Sequence, residues 1–151
     1  MAITIRSATV ADADLLGQMN RQLADDEQSR NPMSAASLAE RMTKWLSEDW
    51  QAVIVEEENQ PIGYALFQIS HDYYAPSIPE VYVRQFFIAR QQRGQGKGRQ
   101  AFTLLIEEVF PKGSHVRLDV LATNPGGSQF WLSLGFQPYS TALRLSPRHT
   151  M

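Results

Sequence analysis

Residues 91 to 109 read QQRGQGKGRQAFTLLIEEV, with glycines at 94, 96 and 98 directly ahead of an apolar stretch at helical spacing. The stretch before them, VYVRQFFIA, is rich in β-branched and aromatic residues and predicts a strand. A strand that runs through a glycine-rich turn into a helix aims consecutive backbone N–H groups, and the positive end of the helix dipole, at one place. Glycine suits such a turn because it lets a ligand touch the backbone and because it accepts positive φ. Arg90, Arg93, Lys97 and Arg99 surround it with positive charge. A phosphate oxygen is the chemistry that fits.

The remainder of the chain limits what that ligand can be. With 151 residues, 43% hydrophobic and 20% charged, the sequence suits one ordinary globular domain spanning 1–151. The formal charge of −2 gives the whole molecule no attraction to a nucleic acid, so the basic segment serves a small anionic ligand. Cysteine is absent, which excludes disulfides, thiolate metal sites and a cysteine nucleophile. His71 and His115 have no ligand-spaced partner, so no metal site is expected. The chain opens MAITIRSATV with no apolar leader, and no apolar run is long enough to span a bilayer; the expectation is a cytoplasmic protein without membrane contact.

Along the chain, Ile3 to Ser7 alternates as a strand, and Thr9 with Asp12 predicts a helix start leading into Leu15, Leu16, Met19 and Leu23. A second helix carries Leu38, Met42, Trp45 and Leu46 on one face, with Ser37 and Glu40 as its expected capping box. QAVIVEEE and PIGYALFQIS predict a hairpin turning at NQ and Pro61. After the glycine run come a helix to about Phe110, the strand HVRLDVLA, a short helix started by Asn124 and Pro125, and a last strand FQPYSTALRLS. The order β α α β β β α β α β describes a mixed α/β domain.

Gly96, Gly98 and Ala101 also satisfy the GxGxxA form of the dinucleotide fingerprint, with Asp119 near the place of a ribose-binding acid. Position argues against that alternative. The motif comes late, after a hairpin, and the roughly 50 residues that follow leave no room for repeated βαβ units. A Walker loop fails because no GK[ST] occurs.

RGQGKG, Arg93 to Gly98, resembles the R/QxxGxG/A signature of the GNAT superfamily of acyl-CoA-dependent N-acetyltransferases. NPGGSQFWLSLGF is similar to that family's second signature, in which an Asn begins a short helix closing in LGF. The resemblance extends over nearly the whole chain. It implies a GNAT-like single domain whose two central parallel strands splay apart, and acetyl-CoA as acyl donor, with direct transfer to a primary amine of a small molecule. It also implies that the turn of Arg93, Gly94, Gln95, Gly96, Lys97, Gly98 and Arg99 holds the coenzyme A diphosphate. Phe86, Phe87 and Ile88 would carry the pantetheine arm, the amide of Ile88 polarising the thioester carbonyl.

The acceptor must lose a proton before it attacks, since an alkylammonium titrates near 10. The spacing of Glu80 to Arg93 resembles that of the base glutamate in the family's histone-acetylating branch, which makes Glu80 the candidate base. Where the family commonly has a tyrosine that protonates the leaving thiolate, this chain has Trp131. Indole cannot supply that proton, so Trp131 is expected to wall the pantetheine or the core. Tyr139, after the GF turn, is the first candidate donor, with Tyr73, Tyr74 or an unassisted thiolate as alternatives. Asn124 is expected beside the cofactor arm, and equally as a helix cap. Asp26 and Glu27, with Tyr73 and Tyr74, are the expected contacts of the acceptor amine. A noncatalytic acyl-CoA sensor on the same fold is the alternative function. A short C-terminal strand at the sheet edge suggests a homodimer.

Overall fold

The structure is a computed structural model and describes residues 2–147. Its elements are β1 (Ile3–Ser7), α1 (Ala13–Asp26), α2 (Ala35–Ser47), β2 (Trp50–Glu57), β3 (Gln60–His71), β4 (Pro79–Ile88), α3 (Lys97–Leu104), β5 (His115–Leu118) and α4 (Pro125–Ser133). The strands form one sheet in chain order, antiparallel from β1 to β4 and parallel between β4 and β5. This is the mixed α/β fold that the pattern of elements predicts.

Strand alternation sorts the central residues onto two buried faces. Ala52, Ile54, Tyr64, Leu66 and Phe87 pack against Leu16, Met19, Leu23 and Met42 of α1 and α2. Val53, Ala65, Phe67, Val81 and Val83 face Phe102, Leu105 and Phe110 on the opposite side. α4 joins that second layer through Trp131, whose ring centroid lies 5.4 Å from Phe86, 5.1 Å from Phe102 and 5.3 Å from Phe136.

Local chemistry sets the boundaries, in places differently from the sequence expectation. Thr9 and Asp12 do form a capping box, ahead of a 3₁₀ turn that enters α1. The cap of α2 is Ser34 and not Ser37: the Ser34 hydroxyl accepts from the Ser37 N–H at 3.1 Å, so the helix begins three residues before the expected box. The hairpin turns at Glu58 and Asn59, with φ of 53° and 64°, where two consecutive positive values match the twist of the flanking strands. Pro61 therefore lies inside β3, beside the register shift at Val55/Glu56. The helix expected to run to Phe110 is α-helical only to Leu104 and loosens into a π-helical turn over Leu105–Val109.

The last predicted strand is absent. Residues 137–145 are all exposed, with Leu143 at 93% and Leu145 at 75% of full exposure. An alternating segment becomes a strand only by pairing with a sheet edge, and β5 is just four residues long. β5 stops at Leu118, short of the expected Ala122, because the chain turns away to cap α4, the Asn124 N–H donating to the Leu121 carbonyl.

Candidate active site

β4 organises the site. Glu80 to Val83 pair in parallel with His115 to Leu118, and there the pairing ends, while β4 continues to Ile88 with β3 as its one neighbour. The two parallel strands thus part beyond Val83 and Leu118; β5 is the edge of the sheet and not central as expected, because the last predicted strand does not form beside it. The Ala89 N–H donates to the Ile62 carbonyl at 2.8 Å, so by antiparallel alternation Phe87 turns its main-chain groups to β3. Phe86 and Ile88 turn theirs to the open side. The Ile88 carbonyl already accepts from Arg93 Nε at 2.7 Å. The Phe87 ring is buried against Tyr64.

A bulge interrupts β4 where it leaves β5. Leu66 pairs with Gln85 and Phe67 with Val83, which leaves Arg84 as the extra residue. Arg84 and Gln85 consequently both face the α1/α2 side of the sheet. Gln85 Oε1 accepts from the buried Tyr64 hydroxyl at 2.7 Å, and the Arg84 guanidinium lies 4.8 Å from the Trp45 ring and 5.7 Å from that of Trp50. None of these was singled out in the sequence, though a signal existed: Arg84–Gln85 are adjacent polar residues in a strand that otherwise reads as buried.

At the far end of β4 the glycine turn is built as expected. Gly94 and Gly96 have φ of 80° and 77°, Gly96 caps α3, and a Cβ at either would meet nothing within 4 Å. Positive φ, not crowding, is therefore why glycine stands there. No side chain caps α3, so the N–H groups of its first turn are left without a side-chain acceptor. The cations are committed to protein partners. Arg93 and Arg90 both pair with Asp26, the latter at 2.6 Å, Lys97 Nζ lies 2.8 Å from Glu57 Oε1, and Arg99 donates to the Ser133 carbonyl at 3.0 Å. Gln95 and Lys97 line a shallow open depression with Glu57 and Gln100.

The other expected residues are distributed unevenly. Glu80 stands at the start of β4, its Oε2 3.6 Å from Arg117 Nε. Asn124 caps α4, its Oδ1 accepting from the Gly127 N–H at 3.1 Å. Tyr139 is 88% exposed in the unpaired C-terminal segment. Tyr73 and Tyr74, 86% and 90% exposed, stack edge-on in the β3–β4 loop, at the opposite end of β4 from the glycine turn. Asp26 is not free to attract an amine, because the two arginines hold it. Glu27 is different. Burial, and then the Asp26 charge, raise its carboxyl above the usual range, and its main chain meets Thr123 of the β5–α4 loop. Among the described residues no group of His, Asp or Glu is arranged to hold a metal ion, and no helix is long and apolar enough to cross a membrane.

A helix N-terminus behind positive-φ glycines, in line with a gap between two parting parallel strands, is the architecture of an acyl-carrier-binding acetyltransferase. The acetyltransferase (GNAT) family model matches residues 20–136, and the chain belongs to that family. Solved structures share the fold at low identity. A possible acetyltransferase from Clostridium difficile 630 superposes with a TM-score of 0.78 at 13% identity, covering 97% of each chain. A predicted acetyltransferase from Clostridium acetobutylicum, solved with acetyl-CoA, gives 0.74 at 19% identity over 99% of this chain and 100% of that one. An aminoglycoside acetyltransferase from an uncultured soil metagenomic sample, in complex with sisomicin, gives 0.67 at 16% identity over 95% and 94%. Among curated proteins none matches the chain. The dinucleotide-binding alternative is overturned, since the sheet is antiparallel across four of its strands and lacks successive βαβ units.

Proposed function

We propose that this chain is an N-acetyltransferase that moves an acetyl group from acetyl-CoA to a primary amine of a small molecule, by direct transfer in a ternary complex. The observation that carries this reading is the parting of β4 from β5 beyond Val83 and Leu118, in line with the open N-terminus of α3. Main-chain N–H groups from Gly94 to Arg99 hold the diphosphate, a role that needs none of the committed cations. The pantetheine arm runs from there along the open side of β4, walled by Phe86 and Trp131 and approached by the Asn124 loop. Ile88 is the last residue of β4, beside the diphosphate, so the thioester lies further along, nearer the bulge. We assign polarisation of its carbonyl to the Phe86 N–H, the open-side amide closer to the bulge.

The acceptor amine enters from the α1/α2 side and gives up its proton to Glu80. Four residues of strand, about 13 Å, separate Glu80 from Arg84, so this transfer runs through water. The nitrogen lone pair attacks the thioester carbon, the C–S bond breaks, the coenzyme A thiolate departs, and the nitrogen gives up its second proton to water to leave the neutral amide. That thiolate, with a conjugate pKa near 8.5 by analogy with cysteine, is protonated by Tyr139 or by water. The exposure of Tyr139 favours water. The exposed C-terminal segment and the unpaired edge of the short β5 support a homodimer paired through that edge.

Melting in the presence of acetyl-CoA and of NAD tests the reading, since a ligand bound only by the fold raises its melting temperature. Acetyl-CoA is expected to raise it and NAD to leave it unchanged; the reverse would refute the assignment. Glu80→Gln is expected to lower kcat near neutral pH by about 10²-fold or more while acetyl-CoA affinity holds. Trp131 in place of the expected tyrosine favours a second reading, a noncatalytic acyl-CoA sensor. Acetyl-CoA binding without turnover on any amine of a broad panel would select it.

A further inference from the structure

Four arginines bordering the site carry carboxylate partners, and a fifth, Arg99, is held by the Ser133 carbonyl. Arg90 and Arg93 share Asp26, Arg117 faces Glu80, and Arg21 pairs with Asp25. Arg41 and Arg84 pair with no carboxylate among the described residues. Arg41 donates to Asn20 Oδ1 at 3.2 Å and lies 4.4 Å from the Trp45 ring, and its Nε is buried with no hydrogen-bond partner. Arg84 lies over the rings of Trp45 and Trp50 and forms no hydrogen bond or ion pair among the described residues. Both cations thus stand against one indole, and burial with the charge of Arg84 makes the Arg41 guanidinium easier to deprotonate than usual. Two like charges side by side, one of them half-buried, cost folding free energy that a bound anion would recover.

Their location says what the anion belongs to. Arg84 is the bulge residue at the point where β4 leaves β5, and the bulge turns its side chain toward the open α1/α2 face. Two carboxylates would favour a cation: Glu80, four residues up β4 and 3.6 Å from Arg117, and Glu27 at the end of α1, whose charge acts on the same buried Tyr64 as that of Arg41 and for which no ion pair is formed among the described residues. The geometry points to an acceptor that carries a carboxylate next to its amine, an α-amino acid or a compound ending in one, with the carboxylate on Arg84, Arg41 behind it and Trp45 and Trp50 beneath. This deepens the acetyltransferase reading and rests on it for the amine's fate, but carboxylate recognition has its own readout.

The test uses the twenty α-amino acids and their carboxamides, each measured by calorimetric binding to the protein saturated with coenzyme A and by turnover with acetyl-CoA. At least one acid is expected to bind about 10- to 100-fold more tightly than its carboxamide. Arg84→Gln, at an exposed position and so expected to fold, should erase that preference by weakening the acid alone, and Arg84→Lys should restore part of it. Carboxamides binding as well as acids, no amino acid binding at all, or Arg84→Gln weakening acid and amide equally would each overturn the proposal. Preferential, Arg84-dependent binding without turnover would uphold it and overturn the acetyltransferase reading instead.

Discussion

Gly96 shows how a single backbone angle can fix which residue a turn accepts. A side chain there has open space but must adopt φ near 77°, which costs an L-residue on the order of 1–2 kcal/mol. Gly96→Ala should therefore lower unfolding free energy by about 1 kcal/mol in urea melts and weaken acetyl-CoA binding. Gly126, inside α4 with equally open space and no positive φ, should gain roughly 0.4–1 kcal/mol from the same change. Equal losses at both would mean that side-chain bulk, not φ, matters. Glu27 gives a pH-dependent case. Because burial raises its carboxyl in the fold, the proton is held more tightly there than in the unfolded chain, where it titrates near 4.3. The stability contributed by this group is full below that value and is lost as pH rises through the raised one. Glu27→Gln should accordingly melt above wild type near neutral pH, with the gap closing toward pH 4; a wild type that melts higher at neutral pH would contradict it.

Among the elements, β4 is the one on which the site depends, and β5 matters mainly for where it stops. Had β5 paired along the full length of β4, the main-chain groups of Phe86 and Ile88 would be spent on the sheet and none would face a ligand. The glycine turn is also tied to α1: Arg90 and Arg93 grip Asp26, which joins the loop after β4 to the last turn of α1. The same short β5 leaves an edge with no strand beside it, while Leu143 and Leu145 remain in water. Sedimentation at micromolar concentration should show a dimer, and Leu143→Arg with Leu145→Arg should convert it to a monomer. A wild type that sediments as a monomer would remove the pairing.

For the whole molecule, both the fold class and the glycine turn ahead of α3 were readable before any coordinates. They rest on local signals: alternation in β1 to β4, helical spacing in α1 and α2, and glycines where the backbone must turn left-handed. The last strand was misread because alternation states a capacity to pair and says nothing about whether an edge is within reach. The ion pairs of Asp26 were hidden for a similar reason. Its acidity is plain in the sequence, yet Arg90 and Arg93, more than sixty positions away, neutralise it only in the fold. Arg84, Arg41 and Trp45 are unremarkable apart and become a cluster when α2 packs across the β4 bulge. By itself the sequence determined the order of elements from β1 to α4 and the family, since these follow from neighbours along the chain. Tertiary structure alone decided which charges remain unpaired and where β4 and β5 separate, because both depend on contacts between residues distant in sequence.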